Sequence, residues 1–220
     1  MLQDISTTPI IQPANESSLV AKLVIHPQAI AKRIAIGTFL GLAWSASLRA
    51  WMALLALEFG ERPKFTWEGT FGAILLPAAL MGALLGGATY FAQASHSTRW
   101  RWAVLSPLLL VLGPVIFLRD FIPALVTTGL GGGAIGVALI GLLGGYAFSG
   151  FGVRWTRWAS GLFPILFFII APLYAFYSVV NGTLNVGEFF SGVLFVLLMA
   201  LLIAGVSAPA RYWANQRTLD

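Results

Sequence analysis

Six stretches of this chain, residues 33–57, 69–93, 102–119, 121–148, 158–180 and 186–208, stay apolar for longer than a helix in water requires. At ~1.5 Å rise per residue each approaches or exceeds the ~30 Å hydrocarbon core of a bilayer. Inside lipid every backbone N–H and C=O must find its partner within the protein, and consecutive apolar runs do this as helices. The runs therefore predict an all-α, polytopic transmembrane helical bundle of about six helices. Composition agrees: 58% of residues are hydrophobic and 10% charged, against ~25% charged in a typical soluble domain. The remainder divides into an N-terminal tail (1–30), polar and expected to be partly disordered, the transmembrane domain (31–210), and a short C-terminal tail (211–220). The N-terminal tail carries Asp4, Glu16 and Lys22 and lacks the apolar core of a cleavable signal peptide, so the first helix is expected to act as its own insertion signal.

Basic residues then set an orientation. Lys22, Lys32 and Arg33 precede the first run, Arg99 and Arg101 separate the second and third, Arg154 and Arg157 the fourth and fifth, and Arg211 and Arg217 follow the sixth. With six crossings all fall on one side, which the positive-inside rule makes cytoplasmic. The opposite loops mix Arg62, Lys64 and Arg119 with Glu58, Glu61, Glu68, Asp120 and Glu188. Both termini are expected in the cytoplasm. The tightest boundary is 119–123, where a re-entrant pair is the alternative to two full crossings. The net charge of +5 is accounted for by topology, and no nucleic-acid partner is expected, because the cations occupy short loops rather than one polar face.

The chain contains an internal echo. Residues 79–90, A-L-M-G-A-L-L-G-G-A-T-Y, followed by R-W-R-W-A, match 138–146, A-L-I-G-L-L-G-G-Y, followed by R-W-T-R-W-A. Pro107 and Pro114 after the first basic loop correspond within one residue to Pro164 and Pro172 after the second. This predicts a parallel hairpin repeat relating helices 2–3 to helices 4–5 about an axis near the membrane normal.

Helix association in lipid relies on close backbone approach at small residues. Gly37, Gly41 and Ser45 recur at four-residue spacing in helix 1, Ala78, Gly82 and Gly86 in helix 2, and Gly132/Gly136 and Gly141/Gly145 in helix 4. Helix 4 is expected to lie centrally, with helices 3 and 5 facing lipid. Trp100, Trp102, Trp155, Trp158 and Trp213 lie at the basic ends of helices, where indole rings anchor among lipid headgroups; membrane lipids are thus expected contacts.

Arg49 is the one charge well inside an apolar run, on the Gly37–Gly41–Ser45 row. A guanidinium at depth costs roughly 2.5–3.5 kcal/mol on insertion scales and needs a partner; Asp120 or Glu68 is the carboxylate expected to supply it. Thr66 reads as a helix N-cap, with Glu68 and Asp120 suited to positive helix ends. Convergence of these groups on one side defines a candidate outer vestibule of Arg49, Trp67, Glu68, Arg119 and Asp120, in which Arg49 would contact an anion.

No catalytic residue, metal site or cofactor is assigned. Asp, Glu and His are absent from the depth of the runs, which disfavours a proton relay. His26 and His96 lie in polar segments, cysteine is absent, and no phosphate loop, zinc-protease helix or nucleophile elbow occurs. Arg49-x-Trp51-Met52, followed by Pro63-x-Phe65-Thr66-Trp67-x-Gly69-Thr70, resembles a group of bacterial multi-pass inner-membrane proteins for which no activity is established. The resemblance implies residence in the bacterial inner membrane and carries no activity with it. Two function classes remain. One is binding or permeation of a small polar or anionic molecule through the vestibule. The other is a structural or assembly subunit that docks onto a second copy of itself or a membrane-complex partner.

Overall fold

The computed structural model describes residues 26–58, 60–94, 99–128, 132–150, 152–182 and 186–217, and among these every regular element is helical. Asp4, Glu16, Lys22, His96 and Gly129 lie outside the described residues, as do the side chains of Arg99 and Arg217 and the surroundings of Gly132. Helix α1 spans Pro27–Glu58 and α2 Leu76–Ala94, the latter entered through a π-helical segment, Glu68–Leu75. A 3₁₀ stretch, Arg99–Leu108, leads into α3, Leu109–Phe117. Then follow α4 (Phe121–Thr128), α5 (Gly132–Ala147), α6 (Arg154–Val180) and α7 (Val186–Arg217).

Five helical stretches among the described residues are long and apolar enough to cross a membrane: Pro27–Glu58, Glu68–Gln93, Trp100–Phe117, Arg154–Ser178 and Gly187–Trp213. The fourth apolar run, expected as one helix over 121–148, is described as α4 and α5 on either side of residues 129–131, which lie outside the described residues. The third run reaches across in few residues. Its 3₁₀ portion rises ~2 Å per residue, so an 18-residue stretch spans roughly as far as a 20-residue α-helix. Helix α7 continues through Arg217, beyond the 210 boundary assigned from sequence.

Prolines explain where the helices depart from α geometry. Pro77 has no N–H, and its ring crowds the carbonyl four residues back. Just upstream the chain widens into the π segment, where the Leu76 N–H bonds to Phe71 O, five residues back. Pro107 likewise lies near the end of the 3₁₀ stretch.

The closest helix pair is α1 with α2, antiparallel. A Cβ on Gly37 would strike the carbonyl of Gly82, one on Gly41 that of Ala78, and one on Gly86 that of Arg33. The two backbones touch directly, the approach that small residues four apart permit. Ser45 on the same row is fully buried and bonds back to Leu42 O at 3.0 Å.

The centre of the bundle is α7, not the fourth run alone. Met199 and Val206 are fully buried, with Leu198, Leu202 and Ile203 beside them in the main core. Helix α5 meets this ridge with its glycines: Gly141 lies against Leu202, Gly144 against Ile203 and Gly145 against Val206. Helix α1 is pinned to the same post by two indoles. Trp44 Nε1 donates to Leu198 O at 2.8 Å and Trp51 Nε1 to Ser191 O at 3.0 Å. Helix α6 exposes Leu162, Phe163, Leu166, Ile169, Ile170 and Leu173, as expected of a lipid-facing span. The third run turns Leu105, Leu108, Leu112, Val115 and Ile116 outward and buries Ser106, Pro107, Leu110, Gly113 and Pro114 on its other face. Two of the five tryptophans expected among headgroups also turn inward: Trp100 is buried and, with Trp213, packs against Ala88, Ala92 and Ala210. Trp102, Trp155 and Trp158 are exposed.

Candidate functional site

A cavity of about 760 Å³ opens between the π segment, the Leu118–Asp120 turn after α3, and residues Gly133–Val137 of α5. Its apolar wall includes Leu48 and Trp51 from α1, Leu110 from α3, Val137 from α5 and Phe195 from α7. Trp51 is held rigidly, because its Nε1 is bonded to Ser191 O while its ring stacks on Phe195 at 4.3 Å and 15°. Two constraints on one indole fix both its tilt and its depth, so this wall is preformed. The polar lining is Thr66, Glu68, Arg119 and Asp120.

Local sequence explains each polar group. Thr66 Oγ1 accepts from the Gly69 N–H at 3.1 Å, closing the first turn as an N-cap hydroxyl does. Glu68 therefore occupies the first turn, where its carboxylate complements the positive helix end. Asp120 immediately precedes α4 and has the same complementarity. Arg119 shares the turn, and the Phe121 N–H donates to Leu118 O at 3.1 Å. Among the described residues Glu68, Arg119 and Asp120 make no ion pair with one another. Two carboxylates and a guanidinium thus border an apolar chamber with their charges uncompensated by contact. The size is that of a small-molecule site, and a mostly apolar lining with few polar groups is the usual composition of one.

Arg49 is placed elsewhere. Its Nη2 donates to the Lys64 carbonyl at 2.6 Å, its Nε lies 3.5 Å from Thr70 Oγ1, and its guanidinium covers the Phe65 ring at 4.3 Å. The expected carboxylate partner, Asp120 or Glu68, is replaced by a main-chain oxygen of the loop joining α1 to the π segment. The reason is proximity along the chain: Lys64 is fifteen residues on, within the hairpin that the α1–α2 seam closes. Arg49 is not part of the cavity lining. Neither is Trp67, which is 76% exposed and packs tilted against Phe71, ring centroids 4.0 Å apart. The structure therefore brings Glu68, Arg119 and Asp120 together at one chamber and sets Arg49 and Trp67 outside it.

Of the glycines singled out for packing, Gly37, Gly41, Gly82, Gly86, Gly141 and Gly145 face a neighbour at close range, whereas a side chain at Gly136 would meet nothing within 4 Å. The sequence reading missed Trp51, Phe195 and the Gly133–Val137 wall. The glycine cluster from Gly129 to Gly133 is the sequence feature that lies beside it. No family model, curated protein or solved structure matches the chain.

Proposed function

We propose that this chain is a membrane-embedded protein that binds, or passes, a small molecule with an apolar body and a charged end, using the 760 Å³ chamber. The observation that carries this reading is the coincidence of that chamber with two departures from regular helix. Fully packed helices would close the space. A π segment and a tight turn hold it open. The apolar body would rest on Trp51, Phe195 and Val137, and the charged end would meet Glu68, Arg119 and Asp120. With two carboxylates and one guanidinium, this rim suits a cationic or zwitterionic end better than the simple anion expected of an arginine-centred vestibule.

Our reading includes the finer topology: six crossings in the bacterial inner membrane, α4 and α5 making the fourth together, both termini cytoplasmic, the chamber facing outward, and the two hairpins related by a parallel repeat. The basic loops support it. A second reading, a structural or assembly subunit, is supported by Arg49, whose bonds to its own loop tie α1 in place and leave it no ligand role.

One experiment separates them. Purified chain in detergent is titrated with short-chain primary amines, betaines and carboxylates while its unfolding temperature is followed. Wild type and Gly133→Phe are compared, because Gly133 lines the chamber and has open space around it. Stabilisation of the wild type by amines or betaines that disappears in Gly133→Phe supports the binding reading. Absence of any stabilisation in the wild type removes it and leaves the assembly reading.

A further inference from the structure

A second cavity, about 490 Å³, runs along the outside of the bundle between α1, α2 and α7, at the opposite end from the chamber above. On α1 its lining extends from Arg33 to Ser47, a length of ~21 Å at helical rise. That exceeds the ~15 Å depth of one leaflet's hydrocarbon. The walls are Ile36, Leu40, Leu85, Leu198, Leu201 and Leu202, and the floor is the glycine seam itself. At Gly205, on the α7 wall, a side chain would meet nothing within 4 Å.

The apolar groove ends at a cation. Arg33 is exposed, and its Nη2 reaches Gln93 Oε1 at 3.3 Å, a neutral partner. No carboxylate among the described residues pairs with it, and Tyr212 and Thr89 supply hydroxyls to the lining at the same end. A guanidinium with no counter-ion among the described residues, at the mouth of a hydrocarbon-length groove, matches a phosphate attached to an acyl chain. Arginine recognises phosphate through paired N–H donors. Gln93 leaves donors of that fork unused.

We propose that this groove is a binding site for one anionic phospholipid, its phosphate on Arg33 and one acyl chain along the glycine seam. It is distinct from the chamber and independent of whether the chamber binds anything. Arg33 lies on the side assigned to the cytoplasm, where anionic lipids attract basic residues.

The test uses the full chain in neutral detergent, with lipid retention measured by native mass spectrometry. Phosphatidylglycerol is compared with phosphatidylcholine of the same chains and with glycerol phosphate. For the wild type we expect one phosphatidylglycerol bound saturably, about fivefold tighter than phosphatidylcholine, from a single interfacial cation. Arg33→Gln should abolish that preference while still retaining lipid. Gly205→Phe, which fills open space and spares the packed core, should weaken both lipids. Equal binding of the two lipids by the wild type, retained preference in Arg33→Gln, or full binding by Gly205→Phe would each overturn the proposal. Displacement of phosphatidylglycerol by glycerol phosphate at equal concentration would overturn the acyl-chain part and leave a phosphate site alone.

Discussion

Two glycine-rich regions of this molecule use the same residue for opposite ends. Along the α1–α2 seam, Gly37, Gly41, Gly82 and Gly86 lie with no room for a single added carbon. At the start of α5, Gly133 and Gly136 have nothing within 4 Å. The seam is built from regular helix and closes completely. The second region borders the chamber opposite a π segment. Glycine on a helix face is therefore permission for close approach, and whether the permission is used depends on what the neighbouring helix offers. Against the seam stands another glycine row; against Gly133 and Gly136 stands open space.

The comparison breaks most sharply at Gly82. Leucine there must displace the Gly37 carbonyl, and a helix backbone cannot step aside as a side chain can. Overpacking of a close-packed site costs ~1–3 kcal/mol and more when backbone must move. For Gly82→Leu we expect a loss of ~3 kcal/mol or more, seen as failure to recover monodisperse protein in detergent. Leucine at Gly136 should change the unfolding midpoint little, as surface substitutions do, within ~0.5 kcal/mol. Equal damage at both positions would mean the two regions are packed alike.

Arg49 probes the boundary between them, because it stands on the seam row yet binds the loop leading into the π segment. Arg49→Met keeps the length and apolar contact with Phe65 but removes a charged donor from Lys64 O and the Thr70 hydroxyl. A hydrogen bond to a charged group contributes ~1.5–3 kcal/mol, partly offset by no longer holding a cation at depth. We expect a loss of ~1–2 kcal/mol by thermal unfolding in detergent, with the amine and betaine response of the chamber retained. If that response vanishes instead, Arg49 contacts the ligand and the boundary drawn here is misplaced.

Much of this architecture was legible in the chain. Apolar runs of bilayer length fixed helical membrane segments, because hydropathy and backbone satisfaction leave little alternative. The seam was legible because glycines recur in register on both partners. Of the vestibule, Glu68, Arg119 and Asp120 could be placed on one side from loop position alone. Their shared chamber could not, since it depends on how far π and 3₁₀ geometry rotate each helix. Arg49 was assigned a carboxylate partner by counting charges. A count of charges overlooks main-chain carbonyls, and it was Lys64 O that stood within reach.

The smallest expected effect is also the most diagnostic, because its sign differs between the regions. Replacing a helical glycine by alanine removes backbone freedom from the unfolded chain and gains ~0.5–1 kcal/mol where the methyl fits. At Gly136 it fits, so Gly136→Ala should raise the unfolding midpoint slightly, by the equivalent of ~0.5 kcal/mol. At Gly41 the methyl meets the Ala78 carbonyl, and Gly41→Ala should lower the midpoint despite the same entropic gain. The measurement is a parallel thermal melt of both variants in one detergent, repeated after reconstitution into bilayers. If Gly136→Ala stabilises in dilute detergent but destabilises in bilayers at high protein density, the open face of α5 is covered by a second copy in the membrane. The contrast between the two regions would then be one between an interface within the chain and an interface between chains.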